Sequence, residues 1–211
     1  MTSLKQAVRD YLVHLHSDRP MTDLALLKDR IVTLACNELN TPKIQRVWAM
    51  PSKWTFQVKP LRAIIDKYKL PGQIWADPFA GFTSPAEYQN DLNPASPALS
   101  HKEAQAFMED LLGDPGLVDG VIFDPPYSLT QVSRSCKDMG LQFKGAENPT
   151  GGFPRVRDLI AAVVKPGGHV ISYGWNTVGM GKGRGFEPVE YLICSHGGNR
   201  NDTLVTVERR Q

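Results

Sequence analysis

The chain is predicted to be an α/β domain, with a mostly parallel sheet, an antiparallel C-terminal hairpin and helices at the N-terminus. Three observations carry this. Strand-length apolar runs such as Gly120–Phe123 alternate with stripes of helical period. Turns rich in glycine and proline, such as Pro166-Gly167-Gly168, separate them. Two longer strand patterns stand last, joined by a polar loop. Strands alternating with helices imply crossovers and parallel pairing, whereas a closing strand pair joined by a short loop implies a hairpin.

Leu4, Val8, Tyr11, Leu12 and Leu15 recur at helical spacing, and after Ser17–Pro20 so do Leu24, Leu27, Ile31 and Leu34, with Thr22 as N-cap. Residues 1–41 therefore read as a helical extension and 42–211 as the main domain. Leu61, Ile64, Ile65 and Tyr68 stripe a helix that follows Pro60. Strands are expected at Gly72–Asp77, Glu87–Asn90, Gly120–Phe123 and Gly168–Tyr173. Val189–Cys194 and Thr203–Glu208 would form the hairpin around the loop His196–Asp202. Only eight residues separate Phe79 from Tyr88, where a parallel crossover generally takes a dozen or more. Either a loop crosses without a helix, or the strand limits lie elsewhere.

Composition permits an enzyme core without selecting one. The 211 residues make one ordinary domain, and a net charge of +2 announces no basic tail. Cys36, Cys136 and Cys194 lack paired spacing, so neither a disulfide framework nor a zinc site is indicated, and no metal is expected. No run is apolar enough to span a membrane and no signal-peptide pattern opens the chain, so a cytoplasmic protein is expected.

Asp124-Pro125-Pro126-Tyr127 is the most informative segment. It follows the buried-strand run Val121-Ile122-Phe123, and ligands of open α/β sheets bind at the carboxyl ends of strands. Two prolines make the backbone rigid, and the carbonyl before Pro126 keeps its lone pairs for a ligand. An acid, a carbonyl and an aromatic face suit a planar exocyclic amine. Here the sequence resembles the amino-methyltransferases, which use S-adenosyl-L-methionine (AdoMet) and carry Asp-Pro-Pro-Tyr as their catalytic motif. The resemblance makes Asp124, Pro125, Pro126 and Tyr127 catalytic.

Ile74–Gly81 similarly resembles the AdoMet-binding motif of those enzymes, Asp-Pro-Phe-x-Gly, with Asp77, Phe79 and Gly81 in place. The resemblance implies that Asp77 accepts from the cofactor's ammonium and that Gly81 admits close approach. Asp91, fourteen residues past Asp77, suits an acid that accepts from ribose hydroxyls. Trp54, Thr55 and Phe56 lie in a segment that such enzymes set against the methionine moiety, although Trp54 and Phe56 also suit a core. Glu103 is a candidate for the cofactor's adenine amine from a third strand, or else an exposed acid at a helix start.

From about Arg46 onward the chain is similar to compact phage and prokaryotic proteins identified as adenine-specific DNA methyltransferases. Met50-Pro51, Trp54-Thr55-Phe56, Lys59-Pro60, Asn90-Asp91-Leu92, Asp124 through Ser128, Gly174-Trp175-Asn176 and His196-Gly197-Gly198 carry the likeness. It implies N6 methylation of adenine in DNA, double-stranded and with the target base flipped out. Cytosine N4, RNA bases or an idle DNA-positioning subunit remain as alternatives. The N-terminal helix pair suits packing on the domain, DNA reading or a homodimer contact. For nucleic acid, Ser128–Arg157 has a net charge of +3 and carries Arg134, Lys137, Lys144 and Arg155; Lys182 and Arg184 are further candidates. A helix over Thr130–Asp138, capped by Ser128, is expected within that stretch. Too little chain separates the motifs for a target-recognition domain, so sequence would be read by short loops, by a partner, or not at all.

Overall fold

A computed structural model describes residues 3–15, 21–39, 41–113, 117–128, 133 and 153–211. The chain divides into two compact units, Met1–Ile44 and Gln45–Gln211. In the first, α1 (Leu4–Leu15) packs on α2 (Met21–Glu38) and buries Ala7. Helix α2 begins one residue before the Thr22 expected to cap it. Lys43 is buried and pairs with Asp29 of α2. Among the described residues no helix is long and apolar enough to cross a membrane.

The second unit is built on a sheet of seven strands in the order β1-β6-β7-β5-β4-β2-β3. These are β1 (Lys43–Trp48), β2 (Trp75–Asp77), β3 (Tyr88–Gln89), β4 (Val118–Phe123), β5 (Val164–Gly174), β6 (Phe186–Ser195) and β7 (Thr203–Arg210). Strands β3, β2, β4 and β5 pair in parallel. Strand β7 runs antiparallel between β5 and β6, which is the antiparallel end the resemblance implies. One apolar layer joins α4 (Ala104–Leu111) and α5 (Pro154–Val163) to Phe123 and Val170. The other joins α3 (Lys59–Tyr68) to Trp75, Ile122, Ile171 and Val207.

Several expectations need correction. Strand β1 was not foreseen, because its inward positions are Lys43, Gln45 and Val47, and only the last is apolar. Residues 100–103 form no strand; Ser100 makes a single parallel bridge to Asn90, and α4 follows. Of the two crossover possibilities, the loop is the one observed, since Pro78–Glu87 carries no helix between β2 and β3. The turn Pro166-Gly167-Gly168 lies inside β5, which starts directly after α5 at Val164. It absorbs a register shift against Val118–Gly120, and a Cβ on Gly168 would stand 2.6 Å from the Asp119 carbonyl. The helix expected over Thr130–Asp138 lies outside the described residues.

Glu190 on β6 is fully buried and accepts from Gln45 Nε2, Lys67 Nζ and Tyr68 Oη, each at 2.6 Å. It ties β1 and α3 to the sheet. Removing it strands three polar groups, although the Lys67 side chain is 36% exposed and can rehydrate. Glu190→Ala should therefore destabilise the protein by about 2–4 kcal/mol, below the cost of breaking a fully buried pair. Urea unfolding would measure it; a change under about 0.5 kcal/mol would mean that the network contributes nothing net.

Candidate active site

The register brings the motifs to one edge of the sheet. Asp77 ends β2, Asp91 follows β3, Asp124 follows β4 and Trp175 follows β5. The pairs Gly174–Leu204 and Cys194–Thr203 set the β6–β7 loop at this same edge.

Asn90, which is almost fully buried, stitches the loops together. Its Nδ2 donates to the carbonyls of Pro78 (3.2 Å) and Lys102 (2.9 Å). Its Oδ1 accepts from Ser100 Oγ (2.8 Å) and the Lys102 N–H (2.9 Å). Its backbone N–H donates to Asp77, and its carbonyl accepts from Ala80. The amide thus has every one of its bonding positions filled, and the two acid-bearing loops become one rigid piece.

Asp77 is fully buried, with Oδ1 accepting from the Phe79 N–H (2.9 Å) and Oδ2 from Ser84 Oγ (2.6 Å). Burial pushes its pKa up to about 7, against these bonds and with help from the negative charges of Asp124 and Asp91. Asp91 accepts from the Gly81 N–H and the Asn93 N–H, both at 2.8 Å. Gly81 has φ +55, and a Cβ there would meet nothing within 4 Å. It is glycine for its backbone conformation, and it faces open space.

Asp124 is half-buried and accepts from the Tyr127 hydroxyl. Burial raises its pKa, while the hydroxyls of Tyr127 and Thr55 pull it back. The Tyr127 ring stands 5.7 Å from the Trp175 ring at 57°. Pro125 is buried and Pro126 half-buried between these groups.

Two adjoining spaces meet at Thr55 and Lys53. A crevice of about 70 Å³ is lined by Trp54, Thr55, Phe56, Phe79, Gly81 and Asp124, together with Phe82 and Thr83. A larger cleft of about 680 Å³ runs from Thr55 and Tyr127 past Trp175 to Asn199, Arg200 and Asn201. The candidates Trp54, Thr55, Phe56, Phe79, Gly81, Asp77, Asp91 and Asp124 thus come together. Phe56 is also core, edge-on to Tyr173 at 5.5 Å, and Phe79 packs edge-on to Phe123 and Phe153. Carboxylates beside aromatic faces make an environment for a cation with an apolar body.

Other candidates lie elsewhere. Glu103 is exposed and immediately precedes α4, at a helix start and on no strand. Arg155 is exposed in the first turn of α5. Arg157 is half-buried with its guanidinium 5.4 Å over the Phe123 ring, and burial lowers its pKa. Lys182 and Arg184 immediately precede Phe186, which pairs with Arg210 at the far end of β7. Seven residue steps at about 3.4 Å set them on the order of 20 Å from the edge that carries Asp124, in ion pairs with Glu187 and Asp158. As further candidates for nucleic acid they thus lie at the opposite end of the strands from Asp124, since charge alone does not say which end of a strand a loop occupies. Arg134, Lys137 and Lys144 lie outside the described residues. Ser84, Phe82 and Lys53 were missed as site residues; nothing in their spacing marks them, and only the folded loop brings Ser84 to Asp77.

No protein-family model and no curated protein matches the chain by sequence. Among solved structures it is similar to TrmN from Thermus thermophilus, with 19% identity and a TM-score of 0.44 over 72% of this chain and 49% of that one. The chain thus spans about half the length of that protein. It is also similar to a 1,6-didemethyltoxoflavin-N1-methyltransferase from Burkholderia thailandensis, whose structure holds 1,6-didemethyltoxoflavin and S-adenosylhomocysteine. There the identity is 11% and the TM-score 0.37, over 86% of this chain and 77% of the other.

The raised pKa of Asp77 has a thermodynamic consequence. Between its unfolded value near 3.8 and its folded value of about 7, the native state binds more protons than the unfolded state. Stability of the ligand-free protein should therefore fall as pH rises through that window and level off above it. Asp119, held below its ordinary value first by the Ile74 N–H and also by Lys165, acts only at lower pH, where its stabilisation is lost as it protonates. Asp77→Asn should flatten the decline. Urea midpoints from pH 4 to 8 would test this, and an unchanged profile in the variant would contradict the assignment.

Proposed function

We propose that the protein transfers a methyl group from AdoMet to the exocyclic N6 amine of adenine in DNA. The observation that carries the reading is Asp124 in an acidic aromatic crevice, with hydroxyl partners Tyr127 and Thr55 that line the adjoining larger cleft. The motif resemblance points to adenine; the geometry supports two ligands in adjoining spaces linked by Thr55.

The residues of the crevice fit the cofactor's chemistry. Asp77, Asp91 and Asp124 concentrate negative charge where a ligand carrying ammonium and sulfonium would be neutralised. Trp54, Phe56 and Phe79 supply aromatic faces, and the open space at Gly81 admits the cofactor's body. Asp91 would accept from ribose hydroxyls through lone pairs left by Gly81 and Asn93. Bound there, AdoMet would supply an electrophilic methyl group.

The other steps belong to the chain. An adenine N6 lone pair is delocalised into the ring and is a weak nucleophile. Asp124 and the Pro125 carbonyl would accept its two hydrogens, which favours a pyramidal nitrogen with its lone pair turned to the crevice. The Tyr127 hydroxyl holds the carboxylate in orientation, and its ring offers a stacking face beside Trp175. The target base leaves the duplex at a cost of about a few kcal/mol. Burial raises the proton affinity of Asp124, which suits it to take the proton that nitrogen loses. Orientation of nitrogen against methyl supplies the main acceleration.

Asp124→Ala should lower methylation by at least about 10³-fold while AdoMet binding persists. Tritium transfer from labelled AdoMet to DNA, followed by mass spectrometry of the digested nucleosides, reads both rate and target. Label arriving at the parental rate would remove Asp124 from the chemistry, and label on cytosine or only on RNA would replace the substrate.

Asp91→Ala should weaken AdoMet by at least about tenfold, through lost charge-assisted bonds and a loosened Gly81. Calorimetry would measure it. Affinity equal to the parent's would exclude Asp91 from the site.

A further inference from the structure

We infer that the β6–β7 loop, through Asn199, Arg200 and Asn201, is the substrate-reading wall of the cleft, acting with Lys53 on a single nucleotide unstacked from its strand. The inference rests on the proposed reading of the site as a nucleobase amino-methyltransferase and names where that substrate is held.

The larger cleft has two walls. One is the catalytic wall of Thr55, Tyr127, Ser128 and Trp175; the other is the hairpin loop. The loop is fixed at its base. His196 Nδ1–H donates to the Ala49 carbonyl (2.9 Å), which leaves Nε2 to accept from Thr203 Oγ (2.8 Å). Ser195 Oγ donates to Asp202 (3.1 Å), and the Ser195 carbonyl accepts from the Ala49 N–H (3.1 Å). The same bonds anchor the segment that leads into Pro51–Thr55. Both sides of the cleft mouth are therefore held by one set of bonds, so the span between them is set before substrate arrives.

The tip beyond this base is exposed, and its side chains have no protein partner among the described residues. Asn199 and Asn201 each carry a donor and an acceptor, which is the set that reads base edges and sugar hydroxyls. Arg200 and Lys53 are cations lining the same cleft; the Lys53 ammonium lies 4.8 Å over the Trp54 ring. Charge is thus graded across the site, with Asp124 lining the crevice and Asp77 and Asp91 acting on it from beside, Lys53 where the two spaces meet, and Arg200 in the cleft alone. That gradient suits a cationic ligand in the crevice and a phosphate-bearing one in the cleft. A cleft of about 680 Å³ falls in the range of roughly 300–1,000 Å³ that encloses a small ligand. One extruded nucleotide enters it, and a duplex stays outside. Trp175, 42% exposed and tilted against Tyr127, offers a second aromatic face there.

The test uses the full chain and a fluorescent adenine-containing oligonucleotide, single-stranded and duplex, with anisotropy followed across a salt titration. Arg200→Glu should weaken binding at least about tenfold at about 0.1 M salt and lower the salt slope by about 0.7 for a single strand. AdoMet affinity by calorimetry should stay at the parental value, which also reports an intact fold. Arg200→Lys should restore most of the binding. Asn199→Ala with Asn201→Ala should lower methylation kcat/KM at least about tenfold or change which sites are modified, with little change in salt slope. If the parent methylates nucleic acid while Arg200→Glu binds it normally, the reading-wall inference is wrong and the methyltransferase reading stands. If the parent methylates no nucleic acid, the substrate reading fails and this inference falls with it.

Discussion

Strand β7 runs antiparallel between β5 and β6, and the geometry of the site depends on that insertion. Parallel strands by themselves deliver loops to the carboxyl edge, which accounts for Asp77, Asp91, Asp124 and Trp175. An added parallel strand would bring only its own terminal loop to that edge. A hairpin inserted in this direction presents its turn there, and so the loop His196–Asp202 becomes the far wall of the cleft. The opposite end of the hairpin, where Lys182 and Arg184 lie, is removed from that edge by the same geometry. Fold and site are therefore one constraint seen at two scales.

Burying a carboxylate costs free energy unless hydrogen bonds and opposite charge offset it. Asp77 has two good bonds, yet its pKa is pushed up to about 7, because burial outweighs them and the negative charges of Asp124 and Asp91 add to it. Asn90 holds the loops together against that repulsion, with an amide whose donors and acceptors are all engaged. The arrangement is costly to the ligand-free protein and favourable once positive charge arrives. A site that is locally at odds with stability, inside a core that is not, is what function imposes on an otherwise consistent structure. The contrast with Glu190 is instructive, since that acid is buried just as completely but meets Lys67 at 2.6 Å.

The central strand β4 and its acid were legible in the sequence because a strand buried on both faces writes itself as an apolar run. Val121-Ile122-Phe123 is such a run, and the Asp124 motif at its end needed only that strand to be placed. Strand β1 was illegible for the opposite reason: its inward Gln45 is satisfied by Glu190, a residue 145 positions away. The start of β5 was misplaced because Pro166-Gly167-Gly168 has the composition of a turn but serves as an irregularity within a paired strand. Ser84 and Asn90 act through bonds that exist only once the Pro78–Glu87 loop has folded back. Local patterns reveal elements, whereas partners distant in sequence must be seen.

Thr55 shows how closely the two halves of the site are joined. Its side chain lines both the crevice and the cleft, and its hydroxyl reaches Asp124 and Tyr127. It opens a one-turn 3-10 helix, Thr55–Gln57, whose approach is shaped by Ser52 Oγ accepting from the Trp54 N–H at 3.2 Å. The next residue, Phe56, is buried against Tyr173, whose hydroxyl donates to the Leu61 carbonyl at 2.8 Å. A displacement on the crevice side would therefore reach Tyr127, which lines the cleft, through one short, well-packed segment. Two ligands that each press on this segment would sense one another by contact, with no larger movement of the sheet required.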